Sequence, residues 1–202
     1  MRQSTSANGQ PAWGLDWKSG VIAAALLVAA QAAILHLIGR IWICKCGTVK
    51  FWHGVVVSSE NSQHLADWYT FSHVIHGFLF YFLFWLLFRR STVWTRLSFA
   101  ILLEAAWEIL ENSPIIINRY REATIALDYF GDSIINSIAD ILSCAVGFVI
   151  AYKLRFWRSL ALFIITEIIL ILAIRDSLIV NIIMLVYPIE AIKQWQIGGL
   201  GV

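Results

Sequence analysis

The sequence has little charge and none of the short motifs that assign a reaction. Asp, Glu, Lys and Arg make up 14% of its 202 residues, against about 25% in soluble domains. The net charge is only +2 and no basic run is interleaved with aromatic residues, which excludes the usual pattern of nucleic-acid binding. Phosphate-loop, Gly-x-Ser-x-Gly and His-Glu-x-x-His patterns are absent, as are internal repeats.

The sequence is instead rich in apolar residues, which make up 59% of the chain. Several of the ten tryptophans stand where apolar runs meet charges, as in the aromatic belt of a membrane protein. This composition predicts an all-α, polytopic membrane bundle that forms one domain with the lipid bilayer as its main solvent.

Five apolar segments approach the roughly 20 residues that a spanning helix needs. They cover about residues 20–38, 68–88, 97–111, 132–152 and 157–174. Ala30, Gln31 and Ala32 resemble a signal-peptidase site, but the apolar run continues beyond them, which favours an uncleaved anchor. Residues 178–194, interrupted by Pro188, predict an amphipathic C-terminal helix in the interface, with a short sixth span as the alternative.

The basic residues predict the orientation. Two tight loops carry only positive charges, and both would be cytoplasmic: Arg89, Arg90 and Arg96 in one, Lys153, Arg155 and Arg158 in the other. The N-terminus is then also cytoplasmic, with residues 1–17 as a disordered tail and residues 18–202 as a single integral domain of a bacterial inner membrane. The longer loops, 39–67 and 112–131, face outward.

Ionisable residues recur inside three predicted spans, although a centrally placed charge costs about 2.5–3.5 kcal/mol. On each helix they share one face. They are His73 and His76 on the second span, Glu104, Glu108 and Glu111 on the third, and Asp132 and Asp140 on the fourth, where the polar Asn136 shares their face.

The alternating topology places most of these side chains near the outer boundary, with Glu104 and Asp140 in a second layer some 6–12 Å deeper. The three polar stripes thus predict an outward-opening pocket. Such a pocket can bind a divalent metal such as zinc, run acid–base chemistry or conduct an ion.

Two functions from different classes fit this pocket. The first is a metal-assisted hydrolase or transferase that acts on a lipid-linked envelope substrate. The second is a non-enzymatic membrane protein, either a small ion or solute transporter or an accessory subunit. For the enzyme, the candidate metal ligands are His73, His76 and Asp132, with Glu108 as a further candidate. The candidate catalytic residues are Glu104, Glu108, Glu111 and Asp140. The candidate substrate-binding residues are Arg119, Arg121 and Asn136.

Structural roles compete with these assignments. Asp132 follows Gly131 at a helix start and could simply cap it, and Glu111 could pair with Arg119 or Arg121 in the headgroup region. Asn136 could serve helix–helix hydrogen bonding. Glu104, Glu108 and Asp140 are the hardest to explain structurally.

The first outer loop carries Cys44 and Cys46, followed by His53 and His64. A disulfide between Cys44 and Cys46 would close a very small ring, so two free thiols or intermolecular pairing are favoured. The four side chains are the right ligand types for zinc, but their spacing matches no standard site.

Four stretches resemble a known family. They are residues 44–49 (CKCGTV), 62–81 (SQHLADWYTFSHVIHGFLFY), 104–121 (EAAWEILENSPIIINRYR) and 129–140 (YFGDSIINSIAD). The sequence resembles uncharacterised protein family 0314, also catalogued as domain of unknown function 2585, and the resemblance implies a bacterial inner-membrane protein without implying a mechanism. More distantly, a histidine in an early helix, a Glu-rich middle helix and a later Gly-Asp helix are similar to the VanZ-like family, which is linked to glycopeptide resistance.

Overall fold

The computed structural model describes residues 13–124 and 128–198, and within them it forms eight α-helices. The helices are α1 (Trp17–Leu37), α2 (Thr70–Leu87), α3 (Val93–Glu111), α4 (Pro114–Ala123), α5 (Ile134–Lys153), α6 (Phe156–Ile174), α7 (Leu178–Val186) and α8 (Glu190–Ile197). The predicted all-α class is therefore confirmed. Residues 1–12 of the predicted tail lie outside the described residues.

Four of these helices are long and apolar enough to cross a membrane: α1, α2, α5 and α6. Helix α3 has 19 residues, but Arg96, Glu104 and Glu108 make it too polar to qualify by composition. The five apolar segments of the sequence thus correspond to five long helices, of which four have the composition of a membrane span.

Local sequence explains where several helices begin. Asp16, Thr92, Ser133 and Ser177 each accept a hydrogen bond from a backbone N–H in the first turn of α1, α3, α5 and α7, respectively. Pro114 opens α4, where a missing N–H does no harm. The sequence predicted a loop over residues 112–131, so the structure differs from the prediction in forming α4 there.

Two glycines allow α2 and α5 to touch through their backbones. A Cβ atom at Gly77 would lie 2.1 Å from the carbonyl oxygen of Cys144, and one at Gly147 would lie 2.0 Å from that of Val74. No larger residue fits at either position without moving a helix. Small residues allow this kind of close approach between helices in membranes. The contact holds the histidines of α2 beside the polar stripe of α5.

The two ends of the bundle differ. At the short-turn end, which includes residues 88–92, Trp13 N–H donates to Arg90 O at 3.2 Å and Thr92 N–H donates to Trp13 O at 3.0 Å. At the opposite end, here called the long-connection end, residues 38–69 pack against residues 112–124 and 128–133. There Ile134 N–H donates to Ile41 O at 2.8 Å and Gln63 Nε2 donates to Gly131 O at 2.8 Å.

The C-terminal region, predicted as an amphipathic helix over residues 178–194 with an interruption at Pro188, is divided there into two short helices. Helix α7 ends at Val186 because Pro188 cannot continue it, and α8 begins at Glu190. At 1.5 Å per residue α7 is only about 14 Å long, roughly half the hydrocarbon thickness of a bilayer. Glu167 of α6 accepts hydrogen bonds from Leu178 N and Ile179 N, both at 3.1 Å, and so fixes the start of α7.

Cys44 and Cys46 form a disulfide within the connection between α1 and α2. The sequence favoured free thiols or intermolecular pairing, and that expectation was wrong. The Cα atoms of the two cysteines lie 5.1 Å apart, within the range that a disulfide bridges. Cys144 is a buried free thiol in α5.

Candidate functional site

The two histidines of α2 meet one glutamate of α3. Glu104 Oε1 lies 2.6 Å from His73 Nδ1, and its two oxygens lie 3.1 and 3.0 Å from His76 Nδ1. Because Glu104 is fully buried, the histidine nitrogens take the place of the hydrogen bonds that water would make to its carboxylate. The sequence placed Glu104 in a deeper layer than the histidines. In the structure there is no such separation, because the carboxylate of Glu104 contacts both imidazoles directly.

Glu108 and Asp140 face the same imidazole from two further directions. His73 Nδ1 lies 3.4 Å from Glu108 Oε1, and His73 Nε2 lies 3.9 Å from Asp140 Oδ2. Thr70 Oγ1 donates to Asp140 Oδ1 at 3.3 Å. Both carboxylate oxygens of Glu108 are buried and accept no hydrogen bond from the described residues. His73 is therefore the side chain at which α2, α3 and α5 converge.

Glu111 and Asp132 form a second acidic group with tyrosine partners. The Tyr120 hydroxyl lies 2.8 Å from Glu111 Oε1, and the Tyr129 hydroxyl donates to Asp132 Oδ1 at 2.9 Å. Asn112 Nδ2 donates to Asp132 Oδ2 at 2.8 Å, and Asn112 Oδ1 accepts from Asp132 N at 2.7 Å. Asp132 is thus held by three polar contacts from outside α5.

These contacts decide two of the competing structural roles. Ser133, and not Asp132, caps α5, since its hydroxyl accepts from Asn136 N at 3.3 Å. Glu111 bonds to Tyr120, and the structure gives it no ion pair with Arg119 or Arg121. Neither carboxylate therefore has the structural role that the sequence offered for it.

Burial explains the electrostatics of the groups outside the long helices. Loss of solvent raises the pKa of Asp132, while the hydrogen bonds from Tyr129 and Asn112 pull that pKa down. Burial also raises the pKa of Tyr120 and of Tyr129 well above 10, and the neighbouring Glu111 and Asp132 raise both further. Both tyrosines are therefore neutral hydrogen-bond donors at physiological pH.

A cavity of about 450 Å³ adjoins these groups. Its polar lining residues include His73, His76, Glu111, Asp132 and Asp140, together with Tyr69, Tyr120 and Tyr129. Its apolar lining, here called the apolar wall, includes Leu79, Leu103, Leu110, Ile182 and Leu185 from α2, α3 and α7. No lysine or arginine is among the described residues that line it.

The three predicted substrate-binding residues lie elsewhere. Arg119 Nε donates to Leu185 O at 2.8 Å, and Arg121 Nε donates to Tyr129 O at 2.5 Å. Asn136 Nδ2 donates to His64 O at 2.9 Å, and this hydrogen bond joins α5 to the connection between α1 and α2. These side chains hold the walls of the site together and do not line the cavity.

Sequence reasoning missed several residues that shape the site. Tyr120, Tyr129 and Asn112 lay in what was predicted to be a loop and carry no periodic signal. Asp67 could have been found. It stands just before the apolar run of α2, as an N-terminal capping acid does, and its Oδ1 accepts from Tyr69 N at 2.7 Å and from Thr70 N at 3.3 Å.

Three overlapping groups at the site have metal-ligand chemistry. Within each group, one ligand atom of every residue lies within 4.8 Å of the others. The groups are His73, His76 and Glu104; His73, Glu108 and Asp140; and Glu108, Glu111 and Asp132. A predicted ligand set of His73, His76 and Asp132 is therefore split between different groups.

A fourth group lies in the connection between α1 and α2 and contains Cys44, Cys46, Glu60 and His64. Here the disulfide occupies both sulfurs, and Lys50 Nζ pairs with Glu60. The hydrogen bonds of Glu60 with Lys50 and His64 lower its pKa to about 2. This arrangement is accounted for without a metal ion.

Comparison with known proteins agrees with the resemblance noted in the sequence. Residues 35–198 match the model of a family described as "Protein of unknown function (DUF2585)". No solved structure matches the chain.

Curated relatives cover nearly the whole chain. A UPF0314 protein of Rhizobium meliloti is 55% identical over 172 residues, which span 85% of this chain and 87% of the relative. UPF0314 proteins of Sphingopyxis alaskensis and Paracoccus denitrificans are 53% and 52% identical, over 90% and 85% of this chain and 97% and 89% of their own. The chain therefore belongs to the DUF2585 family, whose members are also named UPF0314 proteins.

Proposed function

We propose that this protein is a metal-assisted hydrolase or transferase of the bacterial inner membrane. It acts on a lipid-linked envelope substrate in a pocket that opens to the periplasm. The observation that carries the proposal is the convergence of α2, α3 and α5 on His73, with Glu104 at 2.6 Å, Glu108 at 3.4 Å and Asp140 at 3.9 Å, beside a cavity with one apolar wall.

The distribution of charge supports the orientation. Four helices have the composition of membrane spans, and α3 packs among them as a fifth. The short-turn end carries Arg89, Arg90 and Arg96, so the positive-inside rule assigns that end to the cytoplasm. The cavity includes Ser62, Thr124 and Tyr129 of the long-connection end, which then faces the periplasm.

The residues of the pocket suit hydrolysis assisted by a divalent cation. Such a cation brings the pKa of a bound water close to neutrality. In hydrolysis, a carboxylate of the pocket would take the proton of the attacking water as the water oxygen bonds to the phosphorus or carbonyl carbon of the substrate, and the departing oxygen would take a proton back. Glu111 is closer to a bound substrate than Glu104, because Glu111 lines the cavity whereas Glu104 is enclosed by the two histidines. In a transferase, an acceptor hydroxyl replaces the water.

The apolar wall supports a lipid-linked substrate. Leu79, Leu103 and Ile182 line the cavity and are 42%, 38% and 48% exposed, so the cavity opens along a surface that lipid would cover. An acyl or isoprenyl chain would lie against these side chains while its polar group reaches the acids. This arrangement matches an amphiphile better than a fully water-soluble substrate.

The packing of the other half of the bundle favours an enzyme over a transporter. Phe84, Ala100 and Phe148 form a buried apolar cluster towards the short-turn end, and other aromatic side chains pack against it. A transporter needs a polar route through this region. The acids and histidines of the pocket are confined to the opposite half.

The test combines lipid analysis with purified protein. A deletion strain should accumulate a lipid-linked envelope species, and purified wild-type protein in nanodiscs should convert that species. Glu108→Gln should reduce conversion about 10–100-fold, because the group that would hold the metal loses a carboxylate beside His73. Glu122→Gln provides the matched control, because Glu122 is an exposed glutamate on α4 outside the cavity.

Both variants must first give the same thermal unfolding curve as the wild type. Full conversion by a folded Glu108→Gln variant would overturn the proposal. Uptake of a labelled ion or solute into proteoliposomes, abolished by Glu108→Gln while no lipid changes, would assign the protein to transport instead.

A further inference from the structure

Buried acids outnumber buried cations at this site. Glu104, Glu108, Asp132 and Asp140 are buried and Glu111 is half-buried, whereas the only basic side chains among them are His73 and His76. Arginine and lysine do not line the cavity within the described residues. A buried carboxylate is stable only when a positive charge, a proton or several hydrogen bonds compensate its lost hydration. Two imidazoles cannot supply this for five carboxyl groups.

Glu108 shows where the compensation is missing. Both of its carboxylate oxygens are buried and accept no hydrogen bond from the described residues. Its nearest basic atom, His73 Nδ1, is 3.4 Å away and lies closer, at 2.6 Å, to Glu104. Buried side-chain oxygens almost always have a partner in native proteins, so the pair on Glu108 points to a cation that this carboxylate binds.

The neighbours of Glu108 provide ligands on two sides. On one side a ligand atom from each of His73, Glu108 and Asp140 lies within 4.8 Å of the others. On the other side the same holds for Glu108, Glu111 and Asp132. Glu108 is common to both groups and has two oxygens to share. Carboxylates that bridge two metal ions hold them about 3.5–4 Å apart in hydrolytic sites.

Side chains outside the two groups hold the candidate ligands in place by hydrogen bonds and close polar contacts. His73 directs Nδ1 to Glu104 and Nε2 towards Asp140, which is the arrangement of a metal-binding histidine that donates its second N–H to a carboxylate. Tyr129 and Asn112 hold both oxygens of Asp132 by hydrogen bonds. The ligand atoms are therefore fixed from outside both groups.

We propose that this site holds two divalent cations bridged by the carboxylate of Glu108. His73 and Asp140 bind the first cation. Glu111 and Asp132 bind the second. The inference rests on the proposed metal-assisted function and adds the number of ions, the bridging residue and the substrate class.

The ligand set favours a hard cation and an anionic substrate. Four carboxylates and one imidazole suit Mn²⁺ or Mg²⁺ better than a thiolate-seeking ion. Because neither lysine nor arginine is among the described residues that line the cavity, the two cations are the groups that would hold a phosphate or pyrophosphate ester at the head of a lipid.

The test is Mn²⁺ binding to the full-length protein in nanodiscs after treatment with a chelator. Wild type should bind two Mn²⁺ per chain by mass spectrometry, and its electron paramagnetic resonance spectrum should show exchange coupling between the ions. Glu111→Gln should bind one uncoupled Mn²⁺. Glu108→Gln should lose the coupling and at least one ion, and Glu122→Gln should match the wild type.

If Glu111→Gln fails to fold, Asp132→Asn tests the same second cation. The amide of this variant can keep hydrogen bonds to Tyr129 and Asn112. One Mn²⁺ per wild-type chain would overturn the bridged pair and leave the proposed function standing. No Mn²⁺ in the folded wild type would overturn both. Two ions that remain coupled in Glu108→Gln would overturn the bridging role.

Discussion

Glu104 Oε1 lies 2.6 Å from His73 Nδ1, between two helices that are separated in sequence by a tight turn. An imidazole has two different nitrogens, and the contact on one decides what the other can do. With Nδ1 directed at Glu104, the nitrogen of His73 that faces Asp140 is Nε2, at 3.9 Å. Glu104 is thus a positioning residue for His73.

Glu104→Gln should therefore weaken metal binding without removing a ligand. Loss of an outer carboxylate that orients a metal-binding histidine typically costs 10–100-fold in affinity. We expect about this loss in Mn²⁺ affinity, measured by calorimetry in nanodiscs, with the number of ions per chain unchanged. Unchanged affinity in a folded variant would contradict the positioning role, and Glu122→Gln serves as the control for adding an amide elsewhere.

The glycine contact between α2 and α5 predicts a large stability effect from one methyl group. Gly147→Ala places a Cβ about 2.0 Å from Val74 O, so the helices must separate. Overpacking of this kind costs about 1–3 kcal/mol, and the melting temperature in detergent should fall by several degrees. Gly198→Ala is the matched control, since its new Cβ would meet atoms only at 3.4 Å and beyond. Equal melting temperatures for the two variants would contradict this prediction.

Hydropathy and caps predicted the long helices well, because both signals are local. The apolar run at residues 157–174 became α6, and the break expected before Pro114 ends α3 at Glu111. The region after Asp176 was predicted only in part. The interruption at Pro188 was predicted, but the sequence could not show that Arg119, distant in sequence, holds the end of α7.

The candidate site was predicted in its residue types but not in its connections. Helical periodicity placed Glu104 and Glu108 on one face of α3, which the structure confirms by directing both at His73. Periodicity does not show which polar faces of α2, α3 and α5 contact each other, or which side chains are long enough to form those contacts. The partners of Asp132 come from Asn112 and Tyr129 in irregular or short segments, so they could not be derived from any repeating pattern.

Asp176 predicts a pH dependence of stability that one substitution should remove. Burial raises its pKa from the ordinary 3.8 to about 6, although Ser177 N and the Tyr69 hydroxyl donate hydrogen bonds that oppose the shift. Because the folded pKa is the higher one, the stabilisation is present below pH 3.8 and is lost as the pH rises through about 6. At 1.36 kcal/mol per pH unit, the loss amounts to about 3 kcal/mol.

Asp176→Asn carries no charge at any pH and should lack this loss. The measurement is the melting temperature of both proteins in one detergent from pH 4 to pH 7. The difference between wild type and variant should fall steadily as the pH rises, because only the wild type acquires a buried negative charge. A difference that stays constant over this range would show that the carboxyl of Asp176 does not titrate there.

Arg119 connects α4 to the end of α7, and this contact separates a structural role from substrate binding. Its Nε and Nη2 atoms donate to Leu185 O and Val186 O at 2.8 and 3.3 Å. Carbonyls at a helix C-terminus lack partners within the helix and favour a cation. Arg119→Ala should therefore loosen α7, and amide hydrogen exchange over residues 178–186 should accelerate about 10-fold or more, as loss of a charged hydrogen bond implies.

Arg121→Ala is the control, because Arg121 donates its hydrogen bond to Tyr129 O and not to a carbonyl of α7. It should leave exchange in α7 unchanged. If Arg119 instead bound the substrate, Arg119→Ala would raise KM while exchange over residues 178–186 stayed at the wild-type rate. The structural role predicts that exchange over residues 178–186 is faster in Arg119→Ala even without substrate. Mn²⁺ binding should be retained, because Arg119 belongs to neither cation group.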